Sequence, residues 1–517
     1  MRGPSSSHCA AALRIGRLAR DLMDGDLQEV LVEFDRHGAL ATTHESQGSD
    51  MGLFGGLMGW PADDERLPDS PRYIRDAGVQ VATDIVNSAD RHPNTYRLTL
   101  RNAREQHSLV AISSGGGMME IVEIDGLPVS INGDYQETLI FPASDGEAVA
   151  SELAEVFDAD EILVRQTGDR QLVQVKAQQF VSDATLSSLR TAPAIGSVHR
   201  LATVLPVMSR KNLTVPFSTC QEMLDHDGGR KSPLWQLAVE YEMARGQLSQ
   251  DEVFARMTEI VRILRRSIEQ GIDGTQYQDR ILGHQCGVFK SRMDAGRLLA
   301  AGVLNRIVLY VTALMEVKSS MGVIVAAPTA GACGALPGAC LAVADEMNLP
   351  DEAVAKAMLA AGLVGVFIAT RSTFAAEVAG CQAETGAAAP MAAAALVTLA
   401  DGTTSQAMAA ASMALQNSLG MICDPVAGRV EVPCLGKNVL AASNALSCAN
   451  MALADYDPVI PLDEVIEAAD RVGRSLPREL RCTALGGLAV SQTSQEIAAR
   501  LAENKPCPGG NQPGRGS

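Results

Sequence analysis

Residues 420–438 read GMICDPVAGRVEVPCLGKN. Two cysteines, Cys423 and Cys434, lie eleven positions apart in this stretch. Its Asp-Pro, Ala-Gly and Leu-Gly pairs interrupt any regular helix or strand, yet its valine, isoleucine and leucine residues keep it apolar. Because an irregular but apolar segment is expected to be partly buried, the stretch predicts a loop that holds two thiols inside the protein.

The chain around this loop has the pattern of a helical domain. From residue 233 to about 502, apolar residues recur at helical spacing, and Ser232 and Ser249 stand where helix N-caps are expected. The stretch 351–415 contains two long alanine-rich segments that are apolar on every side, which predicts helices in an interior layer. We therefore expect an all-α C-terminal domain over 233–502.

The first 135 residues mix helical and strand patterns. Residues 11–23 have apolar residues at helical spacing, whereas 27–35 and 95–103 alternate as strands do. Residues 107–126 read as a strand, a glycine-rich turn and a second strand. We predict an α+β N-terminal catalytic half over 1–135.

The next segment, 136–207, repeats a shorter rhythm of strand, helix, strand, strand, helix, strand. This βαββαβ order is that of a ferredoxin-like module. The stretch 208–232, rich in Ser, Thr, Lys and Gly, is interpreted as a linker. The Pro- and Gly-rich residues 503–517, which include Cys507, are interpreted as a disordered tail.

The composition argues against several classes of protein. The chain has 517 residues, a formal charge of −18 and a hydrophobic content of 46%, with aromatic residues at only 4%. An acidic chain without a basic patch argues against nucleic acid and anionic membranes as partners. The longest apolar run, 357–369, is shorter than the roughly 18 residues of a membrane span, and the N-terminus lacks the pattern of a signal peptide. We therefore expect a cytoplasmic protein whose eleven cysteines are not paired in disulfides.

A third cysteine resembles the first two in its setting. Cys381 lies just after a glycine and before an apolar helix, 42 residues before Cys423. With Cys434, the three spacings match neither a CxxC zinc site nor the compact cysteine run of ferredoxins. Spacing alone leaves two interpretations open, three structural thiols or three ligands of an iron–sulfur cluster, and favours the first. Three thiolates would leave one iron free to act as a Lewis acid.

Five motifs resemble those of one enzyme family. Three of them together resemble the catalytic domain of the iron–sulfur-dependent L-serine dehydratases (L-serine ammonia-lyases): APTAGACGALPG (327–338), GCQAETG (380–386) and CDPVAGRVEVPC (423–434). GPSSSH (3–8) resembles the motif that opens the other half of that enzyme, and TALGGLAV (483–490) resembles the end of its helical half. The order of the motifs is similar to a fusion, in one chain, of two subunits that some bacteria make separately, with an ACT-like regulatory module between them.

The resemblance implies a [4Fe-4S] cluster held by Cys381, Cys423 and Cys434, and no pyridoxal phosphate. The free iron would bind the hydroxyl of L-serine while a base removes the Cα proton. Loss of water would give an enamine, which tautomerises and hydrolyses to pyruvate and ammonia. The expected partner is thus a small amino-acid substrate, and the expected assembly is a homodimer.

The resemblance also places polar residues of the N-terminal half around the substrate. The SSSH stretch would hold its carboxylate and amine, or form no more than a polar N-cap of the first helix. The backbone of SSGGG would receive a carboxylate, or form only a tight β-turn. The candidates are Ser5, Ser6, Ser7, His8, Ser114, Gly115 and Gly116.

Three further candidates belong to the helical half. Thr329 lies in a segment broken by proline and glycine, which by the resemblance faces the cluster and otherwise simply joins two helices. Lys437, predicted as a catalytic residue, and Asn438 follow the last of the three cysteines. They would orient the substrate or cap a helix.

The sequence departs from the family pattern around the substrate. Gln47 stands where the family has a histidine that is a candidate base, and glutamine cannot accept a proton at neutral pH. His44 would serve instead, or would be an exposed loop residue. Met315 and Lys318 replace two amides, and Lys318 could bind a second carboxylate; Cys482 replaces a glutamate.

These departures leave the substrate open. L-Serine is the leading candidate. The alternatives are a lyase of the same fold acting on another β-hydroxy acid or amino acid, and a degenerate relative without enzymatic activity. The acidic Asp145 and Glu147 in the first loop of the ACT-like module would oppose a ligand carboxylate, so we interpret this module as a structural or dimerisation piece rather than a sensor.

Overall fold

The computed structural model of the chain describes residues 1–3, 5–277 and 280–503. The predicted disordered tail lies outside these residues from position 504 onward, and so does Cys507. The strands are β1 Glu29–Asp35, β2 Gln80–Val86, β3 Thr95–Arg101, β4 Gln106–Gly115, β5 Met118–Ile124, β6 Leu127–Ile131, β7 Gln136–Pro142, β8 Glu161–Thr167, β9 Arg170–Ala177 and β10 Ile195–Leu201. The helices are α1 Ser6–Leu22, α2 Leu40–Thr43, α3 Ser49–Leu57, α4 Ser70–Asp76, α5 Gly146–Val156, α6 Asp183–Ser188, α7 Cys220–Asp227, α8 Leu234–Gly246, α9 Gln250–Asp273, α10 Cys286–Asp294, α11 Val303–Ser319, α12 Ala335–Glu346, α13 Asp351–Arg371, α14 Ala376–Ala379, α15 Thr385–Leu399, α16 Thr404–Gln416, α17 Cys434–Leu453, α18 Leu462–Ser475 and α19 Gln492–Glu503.

The N-terminal region is a mixed sheet covered by helices, which confirms the predicted combination of helices and strands there. The six strands are ordered β2-β1-β3-β4-β5-β6, with β1 and β2 parallel and the other neighbours antiparallel. The strands predicted at 27–35 and 95–103 correspond to β1 and β3, and the predicted hairpin corresponds to β4 and β5. Helix α1 packs on β4 and β5, so the first residues of the chain lie beside this hairpin.

Helices α1 and α3 lie in backbone contact with each other. A Cβ atom at Gly52 would lie 2.0 Å from the carbonyl oxygen of Cys9, and one at Gly56 would lie 2.1 Å from that of Leu13. Only glycine allows such an approach. The two glycines therefore set the position of α1, and with it the position of the chain's first residues.

Four strands form a second sheet in the order β10-β7-β9-β8, with every neighbouring pair antiparallel. Helix α5 follows β7 in the chain, and α6 follows β9. The two sheets share one apolar core, to which the second sheet contributes Leu139, Leu172 and Leu201. The second sheet is therefore packed against the first.

Helix α15 is the centre of the helical region. All of its residues except Thr398 are buried, and it packs against α12, α13, α16 and α17. Alanine predominates in α15, and its small side chain lets neighbouring helices approach closely. This arrangement agrees with the interior layer predicted for 351–415.

Helix α13 has the length and composition of a membrane span. It has 21 residues, but 67% of its apolar stretch is buried inside the protein. A helix that is hydrophobic on every side can equally be the core helix of a large protein. Because α13 packs against α15 inside the protein, its apolar composition is that of a core helix.

The expectations for two helix caps have different outcomes. Ser249 caps α9 through a capping box with Glu252, in which each residue's side chain accepts from the backbone N–H of the other. The predicted cap Ser232 is wrong: α8 begins two residues later without a side-chain cap, and the N–H of Ser232 donates to Asp227 at the end of α7. Helix α7 lies within 208–232, so the stretch interpreted as a linker contains a helix.

The N-terminal region docks on the helical region through its first residues and the β4–β5 hairpin. The backbone N–H of Ala330 donates to the Ser7 hydroxyl at 2.8 Å. At the tip of the hairpin, Gly115 forms a β-bridge with Phe374. These contacts bring the motifs GPSSSH, SSGGG, APTAG and GCQAETG to one joint.

The α1–α3 contact provides a test of the fold. We expect Gly56→Ala to lower the melting temperature by several degrees, because the added methyl group meets the backbone of α1 and overpacking costs about 1–3 kcal/mol. Gly362→Ala is the matched control, since Gly362 is also helical and has no atom within 4 Å of an added Cβ. Calorimetry or circular dichroism would measure both variants. Equal melting temperatures for the two variants would contradict the described helix contact.

Candidate functional site

Three breaks in the helical structure carry the predicted cluster cysteines. Cys381 lies in a short turn between α14 and α15, Cys423 lies in the loop after α16, and Cys434 is the first residue of α17. All three are buried. Cys381 and Cys423 belong to one small apolar cluster and their thiols interact directly. The charge of Cys381 also acts on the thiol of Cys434, which belongs to the main core of the helical region. The three cysteines therefore influence one another electrostatically although they are far apart in the chain.

A fourth thiol, that of Cys482, joins this group. The N–H of Cys423 donates to the carbonyl of Leu480 at 2.9 Å, and its carbonyl accepts from the N–H of Cys482 at 3.1 Å. This pairing brings the Cys482 thiol into hydrogen-bonding contact with that of Cys423. Cys482 also belongs to the same small apolar cluster as Cys381.

Lys437 places a positive charge beside the thiols. Its Nζ donates to the carbonyl of Ile422 at 2.6 Å and to Oδ1 of Asp424 at 2.8 Å. Burial by itself would lower the pKa of Lys437, but the negative charge of Cys381 and the bond to Asp424 raise it. The lysine is therefore protonated at neutral pH.

A second lysine, Lys318, approaches the thiols from α11. Its side chain is fully buried and donates to the backbone carbonyl of Val430. Burial raises the pKa of Cys434, and the charge of Lys318 opposes this rise. Lys318 has no exposed surface and is hydrogen-bonded to the backbone. Its position therefore does not support the suggestion from the sequence that it binds a second carboxylate of a substrate.

The surroundings of Cys381 favour its thiolate. The interaction with the Cys423 thiol lowers the pKa of Cys381, and Lys437 supports this shift against the opposing effect of burial. The hydroxyl of Thr385 lies 3.0 Å from its sulfur. Thiolates rather than thiols bind metals and clusters, so the site favours the ligating form of this cysteine.

The group of thiols fits the donor set of an iron–sulfur cluster. Thiolates from converging cysteines are the usual cluster ligands, and buried charges in proteins are compensated by charges of the opposite sign. Lys437 and Lys318 provide this compensation. The site thus has both the ligand type and the electrostatic balance that such a cofactor requires.

Asn438 fixes the turn that carries Cys434. Its Oδ1 accepts from the N–H groups of Gly334 and Ala335, at 3.1 and 2.9 Å. Its Nδ2 donates to the carbonyls of Gly331 and Cys434, at 2.7 and 2.8 Å. These four bonds use the hydrogen-bonding capacity of the amide, so Asn438 holds the start of α12 against Cys434 and has no group left for a substrate.

The first helix brings a buried charge pair to the joint. Ser5 occupies the N-cap position of α1, but its hydroxyl does not cap the helix; it lies 2.8 Å from Nδ1 of His8. Nε2 of His8 lies 2.6 Å from a carboxylate oxygen of Glu377. Burial would lower the pKa of His8, but Glu377 raises it, and His8 in turn lowers the pKa of Glu377 against the effect of burial. Each group therefore favours the charged form of the other.

Ser6 and Ser7 hold the first residues in place. The Ser6 hydroxyl donates to the carbonyl of Gly3 at 2.9 Å, and the Ser7 hydroxyl accepts from the N–H of Ala330 at 2.8 Å. The first contact folds the GPSSSH motif on itself. The second attaches it to the APTAG loop of the helical half.

Thr329 and Glu384 form a hydrogen-bonded pair next to the thiols. The Thr329 hydroxyl donates to Oε1 of Glu384 at 2.8 Å. Burial raises the pKa of Glu384 to about 8, with a further contribution from the negative charge of Cys381. Glu384 is therefore largely protonated at neutral pH and is a group that could exchange a proton near that pH.

The SSGGG stretch is a hairpin turn that inserts into the helical half. Gly115, Gly116 and Gly117 all have positive φ, at +98°, +61° and +87°, a conformation that side chains disfavour. A Cβ atom at Gly115 would lie 2.7 Å from the backbone nitrogen of Ala375. Ser114, beside them, is exposed. The stretch therefore forms a tight turn, and this turn lies close to the backbone of the helical half.

The segment with His44 and Gln47 faces the thiols from the N-terminal half. The residue turned toward them is Gln47, whose Nε2 donates to the sulfur of Cys482 at 3.6 Å. Nδ1 of His44 lies 2.8 Å from the carboxylate of Asp50, and its ring packs on Phe34. Nε2 of His44 has no hydrogen bond among the residues that the structure describes.

Three residues of the site were not assigned from the sequence. Glu377 and Glu384 lie beside and within the GCQAETG motif, and Cys482 was noted only as a departure. The signal for the two glutamates was an acidic residue in an otherwise apolar stretch, because such a residue is rarely buried without a partner. Cys482 gave no such signal, since its contact depends on chain segments distant in sequence.

Comparison with known proteins identifies relatives of both halves. The family described as "Serine dehydratase alpha chain" matches residues 229–489. The "Probable L-serine dehydratase, alpha chain" of Bacillus subtilis is 34% identical over 285 residues, which cover 55% of this chain and 95% of that protein. The "L-serine dehydratase" of Streptomyces coelicolor is 28% identical over 503 residues, which cover 95% of this chain and 96% of that protein. The "L-serine dehydratase" of Helicobacter pylori is 26% identical over 501 residues, covering 94% and 96%.

The charge of Lys437 provides a test of the thiol site. We expect Lys437→Met to raise the pKa of Cys381, because the variant removes the cation that favours the thiolate. In the metal-free protein, the thiolate absorption that Cys381→Ser removes should appear at a higher pH in Lys437→Met than in the wild type, as measured by the midpoint of an ultraviolet difference titration. The control is Lys356→Met, which removes a half-buried lysine of α13 paired with Glu352. An unchanged midpoint in Lys437→Met would show that the lysine does not act on the thiol.

Proposed function

The chain belongs to the serine dehydratase family, and on this premise we propose that it converts L-serine to pyruvate and ammonia where Cys381, Cys423 and Cys434 meet. Membership of the family makes the chain a lyase. The observation that supports this site above all is that three buried cysteines interact with one another and with two lysines, the buried Lys318 and the half-buried Lys437. The residues around them come from both halves of the chain.

We propose that Cys381, Cys423 and Cys434 hold a [4Fe-4S] cluster. When bound, this cofactor supplies a Lewis-acidic iron that stabilises negative charge on a departing hydroxide. Lys437 and Lys318 would offset the negative charge of the thiolates. We assign this electrostatic role, and no proton transfer, to Lys437. Asn438 keeps the Cys434 turn fixed against α12, so its contribution is to position a ligand.

The substrate would lie at the joint between α1, the hairpin tip and the Cys381 turn. L-Serine is a zwitterion, and the His8–Glu377 pair offers one positive and one negative group to match it. The backbone around Gly115 and Gly116, with the exposed hydroxyl of Ser114, would receive the carboxylate. These groups together would fix the orientation of the Cα–H bond.

Four predicted substrate residues have contacts that favour an indirect role. Ser5 bonds to His8 and would orient its ring. Ser6 and Ser7 hold the first residues against the APTAG loop, and Thr329 holds Glu384. We therefore propose that these hydroxyls position the groups that touch the substrate.

His44 is the residue that we propose as the base. Nδ1 of His44 is hydrogen-bonded to Asp50, so Nε2 would accept the Cα proton. Carboxylates often orient an imidazole in this way in catalytic sites. Gln47, which is buried, has no partner for its Oε1 among the described residues. We propose that this oxygen accepts a hydrogen bond from the substrate's ammonium group. After the proton and the hydroxide have left, the enamine would tautomerise and hydrolyse to pyruvate and ammonia.

The contacts favour L-serine over a substrate with a second carboxylate. The sequence departure that suggested such a substrate was Lys318, and this lysine is fully buried against the carbonyl of Val430. Met315 is also buried and lies against the thiol of Cys333, 3.7 Å from its sulfur. Both replacements thus belong to the interior of the helical half.

The second sheet supports a structural role for the ACT-like module. Its strand order and its two helices agree with the ferredoxin-like arrangement proposed for 136–207. Asp145, whose charge would oppose a ligand, is the N-cap of α5 and accepts from the N–H of Ala148. We propose that the module serves packing and homodimer formation, and that the enzyme acts on its small amino-acid substrate in the cytoplasm without nucleic acid or membrane.

The proposed ligands can be tested by iron content and turnover. Protein purified without oxygen should contain iron and inorganic sulfide, show the visible absorption of a cluster and release pyruvate from L-serine. Serine replacements of Cys381, Cys423 or Cys434 should each lose the absorption and at least about 100-fold of the activity, because one missing ligand leaves the cluster unstable. Cys340→Ser, which changes a buried thiol of α12, should keep both. Wild-type protein that binds no iron would contradict the proposal.

The role of His44 can be tested separately from cluster binding. We expect His44→Ala to lower kcat by about 10²–10⁴-fold, the usual contribution of general base catalysis, with an unchanged cluster spectrum. Asp50→Asn should lower kcat less, because it alters only the orientation of the ring. His226→Ala is a control, since that histidine pairs with Glu240 at the surface. Near-normal turnover in His44→Ala would exclude His44 as the base.

A further inference from the structure

A histidine pair lies between the two sheets of the N-terminal half. His107 belongs to β4 and His199 to β10, and Glu105 precedes β4 by one residue. One potential ligand atom from each of the three residues lies within 4.8 Å of the other two. The two rings meet edge to face, with 4.9 Å between their centroids. Two imidazoles and a carboxylate thus share one small volume.

The two rings are buried but incompletely paired. His199 is 2% exposed, and neither of its ring nitrogens has a hydrogen-bond partner among the described residues; the same holds for Nε2 of His107, which is 8% exposed. The nearest carboxylate oxygens are those of Asp24, 3.9 Å from Nδ1 of His199, and Glu105, 3.6 Å from Nε2 of His107. Buried polar atoms without partners are rare and often indicate an ion or water that belongs there.

Asp125 orients His107 in the manner of a metal ligand. One carboxylate oxygen lies 2.7 Å from Nδ1 of His107, and the other accepts from the N–H of Ser108, also at 2.7 Å. With the proton on Nδ1, the ring presents the lone pair of Nε2 toward Glu105. Histidines that bind metals usually have their second ring nitrogen held by a carboxylate in this way.

We propose that Glu105, His107 and His199 bind one divalent transition-metal ion. Two imidazoles and one carboxylate form a donor set that suits Zn²⁺, with water as the fourth ligand. The ion would join β4 to β10 and so fasten the two sheets together. None of the three residues contacts the thiol site in the described part of the chain, so the proposal is independent of the proposed function.

A cavity lies next to the histidine pair. It has a volume of about 490 Å³ and is lined by residues that include Asp125, Phe141 and Ser108. The ring of Phe141 contacts both histidine rings, with centroids 5.8 Å from His107 and 5.7 Å from His199. Two residues that contact the proposed ligands, Asp125 and Phe141, therefore also line this cavity.

Metal titration of the full-length holoenzyme tests the site. The protein is dialysed against a chelator and titrated with Zn²⁺ by calorimetry, and Co²⁺ then serves as a spectroscopic probe. We expect one ion per chain. Bound Co²⁺ should give weak visible d–d bands without intense thiolate-to-metal charge transfer, which separates this site from the cysteines.

Two variants identify the ligands. His199→Phe keeps an aromatic ring against its neighbours but removes both nitrogens, and it should weaken Zn²⁺ binding at least about 100-fold. Asp125→Asn should weaken binding about 10–100-fold, as expected for a residue that positions a ligand. His226→Phe, at an exposed histidine, is the matched control and should bind as wild type.

The outcomes separate the metal site from simple ring packing. Wild-type affinity in both His199→Phe and Asp125→Asn, or no Zn²⁺ binding in the wild type, would overturn the proposal and leave the histidines as packing residues. If His199→Phe does not fold, Glu105→Gln takes its place and should show a clear loss of affinity. Iron content and pyruvate release, measured in the same samples, should not change, so failure here is distinguishable from failure of the proposed function.

Discussion

The structure depends on burying several thiols and charges at one place inside a helical core. Such groups are costly to bury unless they pair with each other or with opposite charges. Cys381, Cys423 and Cys434 lie at breaks around the alanine-rich α15, and Lys437 and Lys318 bring compensating charge to them. The small side chains of α15 let the surrounding helices pack closely. The polar groups at the breaks between these helices can then lie near one another.

The site is completed by the N-terminal half. The first residues of the chain and the β4–β5 hairpin reach the helical half through backbone contacts, which allow little displacement. The glycines that fix α1 against α3 and the Gly115 turn against Ala375 are therefore as necessary to the site as the polar residues they carry. Having both halves in one chain also keeps them at a high effective concentration, so the joint does not depend on the association of separate subunits.

The contacts divide the departures from the expected motifs into two groups. Gln47 and Cys482, two positions at which the sequence departs from the expected motifs, are 435 positions apart and contact each other through the amide and the thiol. They therefore form one contact between the two halves on this side of the site. Met315 and Lys318, by contrast, lie in the interior of the helical half, where Lys318 acts on the thiols rather than on a substrate.

Local sequence patterns predicted the helical region and the strands of both sheets except β2 and β6, because helical spacing, alternation and turn residues are local properties of the chain. The motif resemblance singled out Cys381, Cys423 and Cys434, and it added the family, which the comparisons confirm. The polar groups that meet are set by the tertiary structure: Gln47 contacts Cys482 while His44 pairs with Asp50, Glu377 pairs with His8, and Cys482 joins Cys381 and Cys423. The contacts of Gln47 and Glu377 connect residues hundreds of positions apart, and no local pattern encodes them, because they arise when the two halves pack together.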